Sequence, residues 1–248
     1  MPDSSVPRWL LAMESSSPNG GAALLRDDDL FEVARLAEGL RHGRELIPAA
    51  SRLLTNAGIT ARSLWGVAVS AGPGSYTGTR IGVMAAKALS YGAECRLTAV
   101  SSLAALAETL RLAGKAVPGN LVVTLQDARR DEVYAGFYCL KEDETVPLAP
   151  DTALAPEEAR ACLKQLLEQN RQGKILLAGS GYVTYAELFR DIGGNKAASG
   201  IIEPEAVARL GRRQFLREHF TDPFILQPVY PRRHSAADWT GGIPVDMA

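Results

Sequence analysis

Histidine is scarce in this chain. Three occur in 248 residues, at positions 42, 219 and 234, and no two stand in an H-E-x-x-H or H-x-x-x-H pair. A zinc-type hydrolase needs its ligands clustered at such spacing, so that class is excluded. Cysteine is equally scarce: Cys95, Cys139 and Cys162 lie far apart with no C-x-x-C. An odd, scattered set reads as free thiols in a reducing compartment, not as a disulfide frame or metal site. An excess of charge is missing as well, with 27 Lys and Arg against 28 Asp and Glu. That balance leaves no broad electrostatic footprint for nucleic acid, so contact with RNA would be local or made through a partner. The start, Met1 to Arg8, is polar and proline-bearing, and the apolar run after it is short. It reads as neither a signal peptide nor a membrane span, which sets a cytoplasmic expectation.

What is present is a glycine loop. Ala71-Gly72-Pro73-Gly74-Ser75-Tyr76-Thr77-Gly78-Thr79-Arg80-Ile81-Gly82 follows the apolar run Trp65–Ser70. It precedes Ile81, Met84, Ala85, Ala88 and Leu89, which are apolar at helical spacing. The order is strand, tight loop, helix. Ser75, Thr77 or Thr79 can cap the helix through a side-chain oxygen. The loop is not a P-loop, because Gly78 is followed by Thr79 and Arg80 and not by Lys and Ser/Thr. Nor does it fit G-x-G-x-x-G, since Thr77 stands where the third glycine belongs. The G-x-S-x-G elbow of a serine hydrolase is absent from Gly72–Tyr76 too. Two readings stay open. The loop is an anion site at a helix start, with Glu14, Ser15 and Ser16 at the end of the first strand holding a metal-bound nucleotide. Otherwise its glycines serve close packing of helix on strand, and Glu14–Gly21 is plain turn chemistry.

Along the chain, Arg8–Met13, Ala22–Arg26 and Leu30–Leu36 read as an antiparallel meander. A helix from Glu45 to Ala57 follows, with Leu46, Ile47, Ala50, Leu53, Leu54 and Ala57 at the helical period. Then come strand Trp65–Ser70, helix Thr79–Tyr91, strand Leu97–Val100 and a helix to Ala113 capped by Ser101. The second half opens with strands Leu121–Leu125 and Glu132–Leu140 around Asp127–Asp131 and a loop over Lys141–Pro150. Helix Ala155–Asn170, strand Lys174–Ala178 and helices Tyr182–Arg190 and Pro204–His219 complete it, before an irregular tail with Arg232-Arg233-His234. This order predicts a duplicated α/β unit: one lobe over residues 1–113, a second over 114–248, and a cleft between them.

The stretch Gly72–Gly82 closely resembles the G-x-G-S-F-T-G-x-R-I-G signature of the TsaB family, the non-catalytic dimerisation subunit of bacterial tRNA threonylcarbamoyladenosine synthesis. Other stretches are similar to that family in the same order: Leu10–Ser17, His42–Leu54, Asp127–Tyr134 and Pro228–Arg232. The resemblance covers the chain from Leu10 to Arg232, with Glu14 replacing the family's aspartate and Pro231 its leucine. It implies the actin/Hsp70-like (ASKHA) fold of two RNase H-like lobes. It also implies pairing with a TsaD-type catalytic paralogue and a TsaE-type ATPase, with tRNA met indirectly through the complex. No cofactor is then required, and no residue of this chain is catalytic. Older glycoprotease or M22 peptidase-like names for such chains do not fit, because the paralogue's metal-binding histidine pair is missing. The implied partner-docking face is His42, Leu46, Ile47, Ala50, Leu53, Leu54, Ile81, Met84, Ala85 and Leu89. An isolated chain could also pair with a second copy through those helices. The alternative function is an ATP-binding or ATP-hydrolysing enzyme holding ATP and magnesium at Glu14, Ser15, Ser16, Gly72, Gly74, Ser75, Thr77 and Gly78.

Overall fold

The structure is a computed structural model that describes residues 7–37, 42–169, 174–192, 195–197 and 200–231. Two compact units emerge, each with its own sheet. The first contains β1 (Trp9–Glu14), β2 (Gly21–Arg26), β3 (Asp29–Arg35), α1 (His42–Asn56), β4 (Leu64–Ser70), α2 (Tyr76–Ala93) and β5 (Arg96–Val100). Its strand order is β3-β2-β1-β4-β5, antiparallel through the meander and parallel from β1 onward. β1 is buried along its whole length, as expected of a central strand covered on both faces and written as a near-continuous apolar run.

Alternation along the strands sorts the two faces. Leu11, Met13, Leu24, Val67 and Val69 join one core with Leu46, Ala49, Ala50, Leu53 and Leu54 of α1 and Val83 and Ala86 of α2. The other face receives the last helix among the described residues. A side chain on Gly66 of β4 would overlap the Phe215 ring, and one on Gly211 would overlap Ala68. These two glycines let α6 (Pro204–Leu216) lie against the sheet.

The second unit holds β6 (Leu121–Arg129), β7 (Glu132–Leu140), β8 (Thr145–Pro147), β9 (Thr152–Leu154), α4 (Pro156–Gln169), β10 (Ile175–Ala178), the short α5 (Ser180–Thr184) and β11 (Asn195–Ala197). Its order, β11-β10-β6-β7-β8, repeats the first sheet's plan of an antiparallel hairpin extended by parallel strands. This is the duplicated α/β plan of the actin/Hsp70-like class. The echo reaches single residues: Gly72 follows β4 at φ 111°, and Gly179 follows β10 at φ 113°. Its core gathers Val123, Leu125, Ala135 and Phe137 with Ala159, Cys162, Leu163 and Leu166 of α4.

Several expectations need adjusting. The chain does not divide at residue 113: α3 (Ser102–Leu112) contains the boundary, after Ala105, and Ile202–Val229 returns to the first unit. The cause is the glycine-permitted seat of α6, which leaves no trace in element order. Lys141–Pro150 is not wholly loop, since Thr145–Pro147 pairs with β7 and Thr145 Oγ1 donates to the buried Glu108 carboxylate at 2.6 Å. The helix expected over Tyr182–Arg190 is instead α5 followed by a 3-10 turn, Ala186–Phe189. The Asp127–Asp131 turn is a tight hairpin with Arg129, Arg130 and Asp131 all left-handed. Asp127 accepts from the Arg129 backbone at 2.8 Å, so that carboxylate serves its own turn. The basic knot Arg232-Arg233-His234 lies outside the described residues. All three cysteines are free, and burial raises each thiol's pKa, that of Cys95 to about 11.

Filling the seat of α6 should destabilise the fold. Gly66→Val is expected to cost about 2 kcal/mol, read as a lowered urea midpoint at unchanged slope. An unchanged midpoint would show that α6 does not rest on β4 as described.

Candidate functional site

Two features of the first unit meet at α2. The first is the seat of the glycine loop. β1 ends in Glu14, and the turn after it, Ser15–Ser17, is buried. The loop lies directly on this turn. Side chains on Gly74 or Gly78 would overlap the carbonyls of Ser16 and Ser15, and one on Gly82 would overlap the Ser15 hydroxyl. The absent Cβ atoms therefore permit backbone-to-backbone contact. Hydrogen bonds fix it: Ser75 N donates to Ser16 O at 2.8 Å, and Ser15 Oγ donates to Gly78 O at 2.7 Å. Of the three capping candidates, Ser75 caps α2, its Oγ accepting from Gly78 N at 3.2 Å.

Beneath the loop lies a buried polar chain. Glu14 is wholly inaccessible and accepts from Ser16 Oγ at 2.9 Å and from Ser17 N at 2.8 Å. Ser16 Oγ lies 3.1 Å from Ser70 Oγ, which lies 2.5 Å from Ser102 Oγ. Ser102 Oγ in turn accepts from Gly72 N at 3.2 Å. Burial raises the pKa of Glu14, opposed by the hydrogen bonds from Ser70, Ser16 and Ser17. Ser70 and Ser102 went unnoticed in the sequence. The available signal was a lone serine closing the apolar strand β4 and another opening α3.

The residues proposed for phosphate are thus brought together, but they mostly engage one another. The amides of Gly72, Ser75, Gly78 and Thr79 all have partners within the loop, the turn or α3. Thr77 stands apart, exposed on the first turn of α2. Among the described residues, no group of three or more His, Cys, Asp or Glu is arranged to hold a metal ion. No helix among them is long and apolar enough to cross a membrane.

The second feature is the outer side of α1 and α2. Of the ten residues implied for docking, Leu46, Ala50, Leu53 and Leu54 are buried against the sheet, because an amphipathic stripe covers its own core first. Ile81, Ala85 and Leu89 are half-buried on that core's edge. Ile47 and Met84 face solvent, 49% and 63% exposed. His42 opens α1, and its side chain lies outside the described residues. Sequence reasoning missed the continuation of this surface: Tyr91 is 67% exposed at the end of α2, with Phe224 stacked edge-on at 5.6 Å and Ile225 exposed beside it. Lys87 Nζ donates to Leu226 O at 2.9 Å and ties that segment to α2.

Comparison with known proteins gives a consistent picture. The family model for TsaD, tRNA N6-adenosine threonylcarbamoyltransferase, matches residues 38–186. The tRNA threonylcarbamoyladenosine biosynthesis protein TsaB of Bacillus subtilis (strain 168) is 31% identical over 210 residues, which are 83% of this chain and 87% of that one. TsaB of Haemophilus influenzae is 26% identical over 238 residues, covering 90% and 93%. The solved structure of YeaZ from Pseudomonas aeruginosa superposes with a TM-score of 0.80 at 26% identity, over 90% of this chain and 99% of that one.

The Glu14 carboxyl makes stability depend on pH. Its folded pKa lies above the ordinary 4.5, so the folded state holds the proton to higher pH than the unfolded state does. Stability is then lost as pH rises from about 4.5 through the folded pKa. Glu14→Gln keeps the shape without the titration. Urea midpoints of the parent should fall relative to Glu14→Gln as pH rises through that window, and parallel curves would refute the buried carboxyl.

Proposed function

Since the chain belongs to the TsaB family, we propose that it works in tRNA threonylcarbamoyladenosine biosynthesis as a non-catalytic subunit, docking and stabilising a TsaD-type catalytic paralogue. A TsaE-type ATPase completes the complex, tRNA is reached through the partners, and the setting is the cytoplasm. The observation that carries this reading is the outer side of α1 and α2. Ile47 and Met84 stand exposed on helices whose opposite faces are already committed to a core, an arrangement suited to helix-on-helix docking.

The alternative, an enzyme binding ATP and magnesium at the glycine loop, draws on the loop's place at a helix start. It is less well supported. The amides that would hold a phosphate are engaged by Ser16, Ser75 and Ser102, and Glu14 is closed to solvent. No group in this chain is assigned a reactive role, and no cofactor is required.

Co-expression with the TsaD-type paralogue from the same organism tests the docking. Met84→Glu or Ile47→Glu should reduce affinity by about a hundredfold or more, the loss expected at a buried interface anchor, while leaving the thermal melt unchanged. Full co-purification of both variants would remove the docking assignment. Calorimetric titration with ATP and magnesium should show no binding to the chain alone, and saturable heat abolished by Ser75→Ala would favour the enzyme.

A further inference from the structure

The register of the first sheet gathers arginines and aromatic rings at one end. Trp9 pairs with Arg26 across β1 and β2, Leu64 lies beside Trp9, and Arg96 lies beside Gly66. The starts of β1, β4 and β5 and the end of β2 therefore share the sheet end opposite the glycine loop. Arg8 lies over Trp65 at 5.1 Å, and Trp65 meets Phe215 at 4.8 Å. Phe215 meets Phe220 edge-on at 5.3 Å, and Arg96 lies over Phe220 at 4.2 Å. The row is continuous, with a guanidinium at each end. Beside it Arg26 lies over Trp9 at 5.7 Å, and Trp9 meets Phe31 edge-on at 5.3 Å. Arg8, Arg26, Arg96, Phe31 and Phe220 are exposed.

These three arginines are stacked and not paired. The neighbouring ion pairs engage other cations: Arg62 faces Glu94 at 3.7 Å, and Arg212 faces Asp28 at 2.5 Å. Asp27 accepts from the backbone N–H of Arg8 at 3.0 Å. Among the described residues no carboxylate pairs with the guanidinium of Arg8, Arg26 or Arg96. A ring beneath a guanidinium fixes its plane and leaves its N–H edge in water, ready for a bidentate acceptor. Asp27 and the exposed Asp29 add negative charge at the hairpin turn, so the attraction is local to the three stacked arginines.

We propose that this sheet end contacts single-stranded RNA, with phosphates on Arg8, Arg26 and Arg96 and bases on the exposed rings of Phe31 and Phe220. Strands about 4.8 Å apart spread the arginines over about 14 Å from β2 to β5, room for a few nucleotides. The chain's near-neutral charge is no obstacle, because three pre-ordered guanidiniums act at close range. An acidic peptide would satisfy them but would bring nothing planar to the rings. A duplex would bring phosphates but keep its base faces stacked within itself. The contact adds to the route through the partners. It uses none of the docking residues of α1 and α2, so it neither rests on the docking reading nor falls with it.

The test is fluorescence anisotropy of a labelled oligouridylate of about twelve nucleotides with the full chain. Saturable binding should weaken about fifteenfold between about 50 and 200 mM salt, the slope for three phosphate contacts on a single strand. Arg8→Glu/Arg96→Glu should weaken it by about tenfold or more and cut the salt slope to about a third. Arg96→Lys keeps the charge without the planar stack, and should bind several-fold more weakly at an unchanged slope. Arg26→Glu, on the Trp9 side, repeats the charge reversal away from Phe220, should also weaken binding and flatten the slope, and decides the matter where Arg8→Glu/Arg96→Glu lowers the thermal melt. Met84→Glu should bind the oligonucleotide as the parent does, and the arginine variants should still co-purify with the TsaD-type paralogue. No saturable binding at low salt, or arginine variants that bind as tightly as the parent, would overturn the proposal. Loss of RNA binding in Met84→Glu would move the contact to α2 and overturn its placement. Equal competition by polyglutamate of matched charge would assign the arginines to an acidic protein and overturn the RNA reading.

Discussion

The first unit depends on a backbone-to-backbone contact, the glycine loop resting on the turn after β1. Three glycines, at 74, 78 and 82, leave room for Ser15 and Ser16 to reach α2 without an intervening side chain. The contact does two things at once. It anchors the start of α2 through Ser75 N to Ser16 O, and it gives the Ser15 hydroxyl an acceptor at Gly78 O. It also shuts Glu14 beneath the loop, and a buried carboxyl is tolerable only with such partners. Ser16, Ser17 and Ser70 supply them, so the serines are the condition under which the acid can remain there. The geometry thus ties a glycine-rich signature to close packing of backbone on backbone.

Much of the fold was legible in the sequence, for identifiable reasons. Central strands such as β1 and β4 are short apolar runs bounded by turn residues, and α1 has a clear 3.6-residue stripe. What stayed hidden depends on contacts distant along the chain. The return of α6 to the first unit turns on Gly66 and Gly211, each of which looks like an unremarkable glycine until Phe215 and Ala68 are seen against it. The strands β8, β9 and β11 span three residues each, too few to show an alternating pattern.

The candidate site was legible in its elements but not in its sides. A helical stripe identifies Leu46, Ile47, Ala50, Leu53 and Leu54 as apolar, yet one core can take only part of it. Burial claims Leu46, Ala50, Leu53 and Leu54 and leaves Ile47. On α2 the same division leaves Met84, while Ile81, Ala85 and Leu89 line the edge of the core. Tyr91 and Phe224 were missed because they meet only through the chain's return, more than a hundred residues later in sequence.

The manner in which α2 is held bears on how it can act. Its first turn is fixed by the Ser75 cap and by the loop's seat on Ser15 and Ser16. Its last turn closes on Glu94 in the left-handed conformation, whose N–H returns to Ser90 and Tyr91. Along its length, Lys87 is bonded to Leu226, a residue buried in the same core. A partner arriving at this face therefore meets a helix whose backbone is already ordered, and association has only side chains left to order. Met84 suits that role, because an unbranched thioether adjusts to the surface it meets at small strain. On the proposed docking reading, the ordered helix limits what binding costs and the exposed apolar residues contribute contact.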